Sequence, residues 1–506
     1  MPEPPWATER GIEPVLRRWL ASSWVRPCFC ADETRPACPA HYAPLPQGLG
    51  PGVARALRSR GIDRLYRHQG QAIEAALAGR HVAVATPTAS GKSLCFYLPI
   101  LQALADDPSA RALVLYPTKA LARDQEAGLL ELMASAGLET AAVVFDGDTP
   151  VDARRAARER ARVVLTNPDM LHAGILPHHA GWSRTLAHLR YVVVDELHTY
   201  RGVFGSHVAN VLRRLVRVAR FHGAEPCLLG ATATIGNPRA HAARLFGVPE
   251  DDVELVEESG APRGSRRFFL FNPPVVNAEL GVRASYVKQA VRLAADLVRA
   301  EVPTIVFGQS RNSVEVMLRY LRDAVAPRLE RAGATGEPRG GVDPARIVAY
   351  RGGYLPGERR EIERRLRRGE ILGVVATNAL ELGIDIGELD AVICAGYPGS
   401  VAATWQRFGR AGRRGAESVC VLVASSAPLD QYLAREPRFL LGAAVEEARI
   451  DPDNVEILVQ HIKCAAFELP FTTTDTFGSL GPEETAASLA FLARRGRLLR
   501  PERPER

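Results

Sequence analysis

From about residue 60 to 250, short apolar runs alternate with helix-like stretches. HVAVAT, ALVLYPT, AAVVFD, ARVVLTNP, YVVVDE and CLLGATAT are each unbroken apolar runs that end in small, hydroxyl-bearing or acidic residues. That is the pattern of strands buried on both faces. Segments such as SLCFYLPILQALA and ALARDQEAGLLELMASAG lie between them and read as helices. The repeated strand–helix order predicts an α/β fold with a doubly wound parallel sheet, whose ligands bind beyond the carboxyl ends of the strands. A Gly-, Pro- and charge-rich stretch, 256–284, breaks the rhythm. A second series follows: PTIVFGQS, RIVAYRG, GVVATN, AVICAGYP and SVCVLVAS.

The expected organisation is an irregular lead-in over 1–55, a first lobe over 56–255, a connector over 256–284, and a second lobe over 285–435. Residues 436–506 are expected to be helical and to end in a disordered tail, PERPER. DPDNVEILVQHIKCAAFELP and ETAASLAFLARRGRLLR supply two helices there. They are consistent with the start of a winged-helix unit or with a brace packed on the second lobe.

With 506 residues the chain is too long for one core. Its net charge of +7 suits a polyanionic partner. There is no run of eighteen apolar residues, and Pro-rich MPEPPWATER stands where a basic-then-apolar leader would, so a cytosolic location without membrane contact is expected. Cys28, Cys30 and Cys38, with His41 following, are residues that a zinc site could use, but paired C-x-x-C spacing is missing and prolines interrupt the stretch, so an irregular lead-in with free thiols is expected. Sixty of the 64 basic residues are Arg, leaving Lys92, Lys119, Lys288 and Lys463. A lysine kept in such a chain hints at a need for a slim, point-like ammonium.

Two of those lysines fall in motifs. In HVAVATPTASGKS an apolar strand meets a turn of small residues and then a helix, the context of a phosphate-binding loop. Thr86, Thr88, Ala89, Ser90 and Gly91 would wrap a phosphate with backbone N–H groups; Lys92 would reach the β- and γ-phosphates and Ser93 would hold Mg²⁺. Thr86 stands where the strict pattern has Gly. At the end of YVVVDELH, Asp195 would bind Mg²⁺ and Glu196 would polarise the attacking water of ATP hydrolysis.

These motifs together resemble those of superfamily 2 DEAD/DEAH-type helicases over roughly residues 60–430. The resemblance implies two tandem RecA-like lobes sharing one ATP and Mg²⁺. It assigns adenine reading to Gln69 in Leu65-Tyr66-Arg67-His68-Gln69, and coupling of ATP state to the strand path to Thr232-Ala233-Thr234. It assigns motif VI to Gln406 through Gly415, with Arg410 and Arg413 as arginine fingers. Motif V is Thr377 through Asp385, with Gly383 and Asp385 facing nucleotide and Thr377 facing nucleic acid. Thr118 and Lys119, Thr166 and Asn167, and Ser310 and Arg311 would grip strand phosphates. Such contacts read backbone, so sequence preference should be weak.

Further segments, including Phe145-Asp146-Gly147-Asp148-Thr149-Pro150, Tyr350-Arg351-Gly352-Gly353-Tyr354 and HIKCAAFELP, resemble the MrfA/YprA-type DNA-repair helicases, relatives of the RecQ-four-like enzymes. The resemblance implies a DNA translocase moving 3′ to 5′, tied to repair of crosslinked or otherwise damaged DNA, with a winged-helix unit after the second lobe; single-stranded or 3′-overhang DNA is the expected partner and a monomer the expected state. Such proteins usually continue into a four-cysteine zinc domain; no such cluster follows here, so a short or truncated form is expected. The segment between Asp385 and Gln406 is too short for a long unwinding hairpin. An RNA helicase and a non-unwinding translocase stay open as alternatives, whereas a non-catalytic scaffold conflicts with the intact Lys92, Asp195, Glu196, Arg410 and Arg413.

Overall fold

The computed structural model describes residues 9–233, 235–326, 341–381, 387, 389–412, 416–442 and 444–498. The chain divides into two compact units, His41–Gly260 with Glu447–Arg506, and Met1–Ala40 with Ala261–Glu446.

The first unit is built on a parallel seven-stranded sheet. Its spatial order is Val253–Val256, His81–Ala85, Cys227–Thr232, Leu189–Val194, Arg111–Leu115, Val163–Thr166, Ala142–Val144. Successive side chains on a strand point to opposite faces. Accordingly Val82 and Val84 join one buried cluster with Phe96, Leu101 and Leu132, while Ala83 joins another with Leu113, Leu212 and Phe246. Both faces are therefore covered, which is what unbroken apolar runs demand. Each fully buried Val, Leu or Phe contributes about 1.5–3 kcal/mol.

The C-terminal segment belongs to this same unit. Helix Val455–Glu468 packs on helix Gly202–Phe221 of the first lobe, so the brace expected on the second lobe lies on the first instead. The reason is polar: Arg213 pairs with Asp453 at 2.8 Å, Arg217 with Asp475 at 3.2 Å, and buried Arg214 with Glu468. Asn237 exchanges two hydrogen bonds with the backbone of Ala448, at 3.1 and 2.9 Å. Helix Pro482–Arg494 closes the segment, and Leu458, Ile462, Ala465, Phe477 and Leu492 form a small core of its own.

The second unit has a seven-stranded sheet in the order Phe29–Arg35, Arg266–Phe271, Ser418–Val423, Ala391–Ala395, Thr304–Phe307, Gly373–Ala376, Ile347–Tyr350. All its pairs are parallel except the first. Two strands here fall in stretches expected to be irregular. Phe29–Arg35 comes from the lead-in and Arg266–Phe271 from the connector. Arg267 clasps Asp32 with two hydrogen bonds of 2.7 and 2.6 Å, and Phe29 packs on Phe269 and Phe271. The lead-in also forms helix Ile12–Ala21, which buries Val15, Leu16 and Trp19 in the core of this unit. Among the described residues no helix is long and apolar enough to cross a membrane.

Candidate active site

Three neighbouring strands of the first unit carry the candidate chemistry at their carboxyl ends. His81–Ala85 leads into the phosphate-type loop, Cys227–Thr232 ends at the threonine motif, and Leu189–Val194 ends at Asp195 and Glu196. The loop is tightly tied. Thr86 Oγ1 and Ser90 Oγ lie 2.7 Å apart, both residues buried. That bond uses the hydroxyl that Thr86 has and glycine lacks, so the departure from the strict pattern becomes an internal brace. Ala89 at φ 62° and Gly91 at φ 80° turn the backbone through the left-handed region, costly for Ala and easy for Gly.

Gln69 is buried and bridges two segments. Its Oε1 accepts from the Tyr66 backbone N–H at 2.9 Å, and its Nε2 donates to the Gly91 carbonyl at 2.9 Å. A Cβ on Gly91 would meet that Nε2 at 2.7 Å, so a side chain there would push the Gln69 amide off its bond to the Gly91 carbonyl. Lys92 Nζ donates to the carbonyls of Thr86 and Pro87, each at 2.9 Å, which folds its ammonium back over the loop. Ser93 opens helix Ser93–Asp106, and its hydroxyl donates to Gln125 Oε1 at 3.2 Å. Gln125, which the motifs do not mark, also accepts from Tyr97 at 3.4 Å, and Tyr97 meets Tyr116 at 2.7 Å.

Asp195 is buried, and its carboxyl is held well above the usual carboxylate range. Burial is the main cause; Glu196 beside it acts in the same direction, opposed by the Glu196 backbone N–H and by Lys92. That N–H donates to Asp195 Oδ1 at 2.8 Å, with Glu196 itself in the left-handed region at φ 54°. His198 Nδ1 stands 3.5 Å from the Glu196 carboxylate and 3.3 Å from Thr232 Oγ1, linking the acidic pair to the threonine motif. Burial lowers the His198 pKa. Two adjacent acids, one of them buried, with a hydroxyl on the neighbouring loop are a donor set that fits a hard dication. Thr234 lies outside the described residues.

On the strand side of this unit, the candidate grips are helix caps. Thr118 Oγ1 accepts from Leu121 N at 3.3 Å and Asn167 Oδ1 from Met170 N at 2.8 Å. Each fixes a turn at the carboxyl edge of the sheet. Thr166 is different: it is buried and donates its hydroxyl to the Phe145 carbonyl at 2.6 Å, so its role is to hold that turn in place. Lys119 pairs with Asp148 at 2.9 Å, and Arg123 with Asp146 and Asp148 at 3.0 and 3.2 Å. The sequence marked the Asp146–Thr149 segment without giving it a role; it is the counter-charge to Lys119.

In the second unit, Ser310 caps helix Arg311–Val325 through Ser313 N at 3.1 Å, and Arg311 is exposed. Thr377 accepts from Ala379 N at 3.4 Å. Gln406 and Arg410 are buried near the end of helix Val401–Phe408. Arg410 donates to the Glu381 carbonyl, and Arg407 pairs with the Glu381 carboxylate at 3.1 Å. Glu381 thus ties motif VI to motif V, a role not visible from the motifs alone. Gly383, Asp385 and Arg413 lie outside the described residues.

Residues 66–241 match the DEAD/DEAH box helicase family and residues 289–415 the helicase conserved C-terminal domain. The chain is 48% identical over 441 residues to the uncharacterized ATP-dependent helicase YprA of Bacillus subtilis, covering 87% of this chain and 57% of that protein. It is 39% identical over 446 residues to the ATP-dependent helicase hrq1 of Schizosaccharomyces pombe, covering 87% of this chain and 41% of that protein. Among solved structures it is similar to the DUF1998 helicase MrfA bound to DNA and AMPPNP, with a TM-score of 0.90 and 43% identity, over 97% of this chain and 66% of the other. The chain therefore spans 41% to 66% of the length of these relatives.

Proposed function

Because this chain belongs to the DEAD/DEAH-box helicase family, we propose that it is an ATP-driven motor on DNA, moving 3′ to 5′ in the cytosol in the service of DNA repair. The observation that carries this reading is the convergence of the phosphate-type loop, the threonine motif and the Asp195–Glu196 pair on three adjacent strand ends. The DNA-bound structure of a similar helicase supports DNA as the track.

ATP is the fuel in this reading. Gln69 reads adenine, and the N–H groups of Thr88 to Gly91 with Lys92 hold the phosphates. Glu196 orients the attacking water and accepts its proton. Ser93 and Asp195 would hold Mg²⁺, which when bound neutralises phosphate charge. In this reading the second lobe supplies the arginine fingers Arg410 and Arg413, the nucleotide-facing Gly383 and Asp385, and Gln406 as a further catalytic residue of motif VI. Thr118, Lys119, Asn167, Ser310, Arg311 and Thr377 serve the strand, with Thr166 holding its turn. His198 links the Glu196 carboxylate to the motif that reports ATP state.

A directionality assay tests the proposal. ATP-dependent displacement of streptavidin from a 5′-biotinylated oligonucleotide, and not from a 3′-biotinylated one, is the expected result. Displacement only from the 3′ end would overturn the polarity, and displacement from RNA alone would favour the RNA helicase reading.

A further inference from the structure

The second unit presents a surface that the motifs leave unassigned. Strand Phe29–Arg35 runs antiparallel to its neighbour, so its first residue stands at the carboxyl end of the parallel strands. Phe29 pairs with Phe271, Phe271 with Val423 and Val423 with Ala395, in a row that continues to Phe307. Residues 24–28, the hairpin after Phe271, and Ser310–Arg311 after Phe307 therefore share one edge of the sheet. From the strand before Ser310 to the strand after Trp24 there are four inter-strand steps, about 19 Å at ~4.8 Å each.

Trp24, in the segment that leads into Phe29, is 60% exposed, with the guanidinium of Arg292 from helix Tyr286–Arg299 4.2 Å from its ring centroid. Cys28 Sγ donates to the Trp24 carbonyl at 3.4 Å. Arg283 and Arg292 both oppose the burial-driven rise in the Cys28 pKa, which puts the positive charge of both on the Cys28 side of the segment. Arg283 also donates to the Pro273 carbonyl at 2.7 Å, at the base of the hairpin Val275–Asn277/Val282–Arg283. That hairpin exposes Val276 and Leu280. Across residues 22–28 and 273–292 the charges are Arg26, Arg283, Lys288 and Arg292 against Glu279 alone.

An open indole among cations with an apolar ledge beside it matches unpaired bases on a polyanionic backbone better than a protein helix or a lipid surface. We propose that Trp24, with Arg292 and the hairpin beyond it, is a base-stacking station that extends the strand track from Ser310–Arg311 across the second lobe. The station binds single-stranded nucleic acid without sequence preference, and it rests on the motor reading above.

Equilibrium binding of a fluorescent dT20 oligonucleotide to Trp24→Ala and Trp24→Phe tests it. The alanine variant is expected to bind about tenfold more weakly, the loss of roughly one stacked base. The phenylalanine variant should recover most of the affinity, and the thermal midpoints of both should equal the wild type's, since the side chain is exposed. A dT20 carrying 5-iododeoxyuridine should photocrosslink to residue 24. Wild-type affinity in Trp24→Ala, or crosslinks only elsewhere, with ATP turnover still stimulated by DNA, would overturn the station and leave the motor intact. Wild-type protein that neither binds dT20 nor responds to it would overturn both.

Discussion

Arg214 on helix Gly202–Phe221 clasps Glu468 at the end of helix Val455–Glu468 with two hydrogen bonds, and both side chains are out of solvent, at 0% and 1% exposure. His172 Nδ1 and His461 Nδ1 lie 2.8 and 3.3 Å from a further Arg214 nitrogen. The charge is thus paired and all three of its nitrogens have partners, which is what a buried guanidinium requires. Removing one partner leaves the other buried and uncompensated. Glu468→Ala should destabilise the first-lobe unit by about 3–5 kcal/mol in urea denaturation. The double change Arg214→Met with Glu468→Leu should recover most of that loss, because no charge is left behind.

The same network sets a pH response. His461 sits between Arg214 and His207, with His172 close by, and its pKa is pushed down to about 3 by burial and by those groups. A histidine depressed in the fold contributes stability that is present above its unfolded pKa, near 6.5, and is lost as pH falls from there toward 3. Urea midpoints measured from pH 7 to pH 4 should fall. His461→Gln should flatten that slope, by at most about 1.4 kcal/mol per pH unit.

Gln69 holds Tyr66 and Gly91 together through its amide. Gln69→Ala removes both bonds, each worth about 1 kcal/mol, together with the amide proposed to read adenine. The KM for ATP should rise about tenfold or more in steady-state assays, with a smaller change in kcat.

Lys119 and Arg311 are the exposed cations at the capped turns. If each meets one phosphate, Lys119→Ala and Arg311→Ala should weaken all single strands alike. Each should reduce the slope of log affinity against log salt by about 0.7, read from titrations at several salt concentrations.

The interior strands of both sheets were legible because burial on two faces leaves unbroken apolar runs. What escaped lay at the edges. FCADETR alternates half-buried and exposed positions, and its charges mask a strand that only pairing with RRFFLF reveals. Val253–Val256 is short and carries Glu254, and the expected connector began at its last residue. In the candidate site, the loop 86–93 and the Asp195–Glu196 pair stood out in the sequence by residue type and spacing, and the structure sets them at neighbouring strand ends. Gln125, Glu381 and the seat of the C-terminal helix were not readable. They depend on partners 28 to 254 residues away, whose meeting is decided by tertiary packing.

ATP turnover without nucleic acid, with single-stranded DNA and with single-stranded RNA, compared between the wild type and Glu196→Gln, tests the central claim most directly. The account predicts strong stimulation by DNA and a loss of roughly 10²–10⁴-fold in the variant. Full turnover in Glu196→Gln would contradict the assignment of the site, and stimulation by RNA alone would contradict a DNA motor.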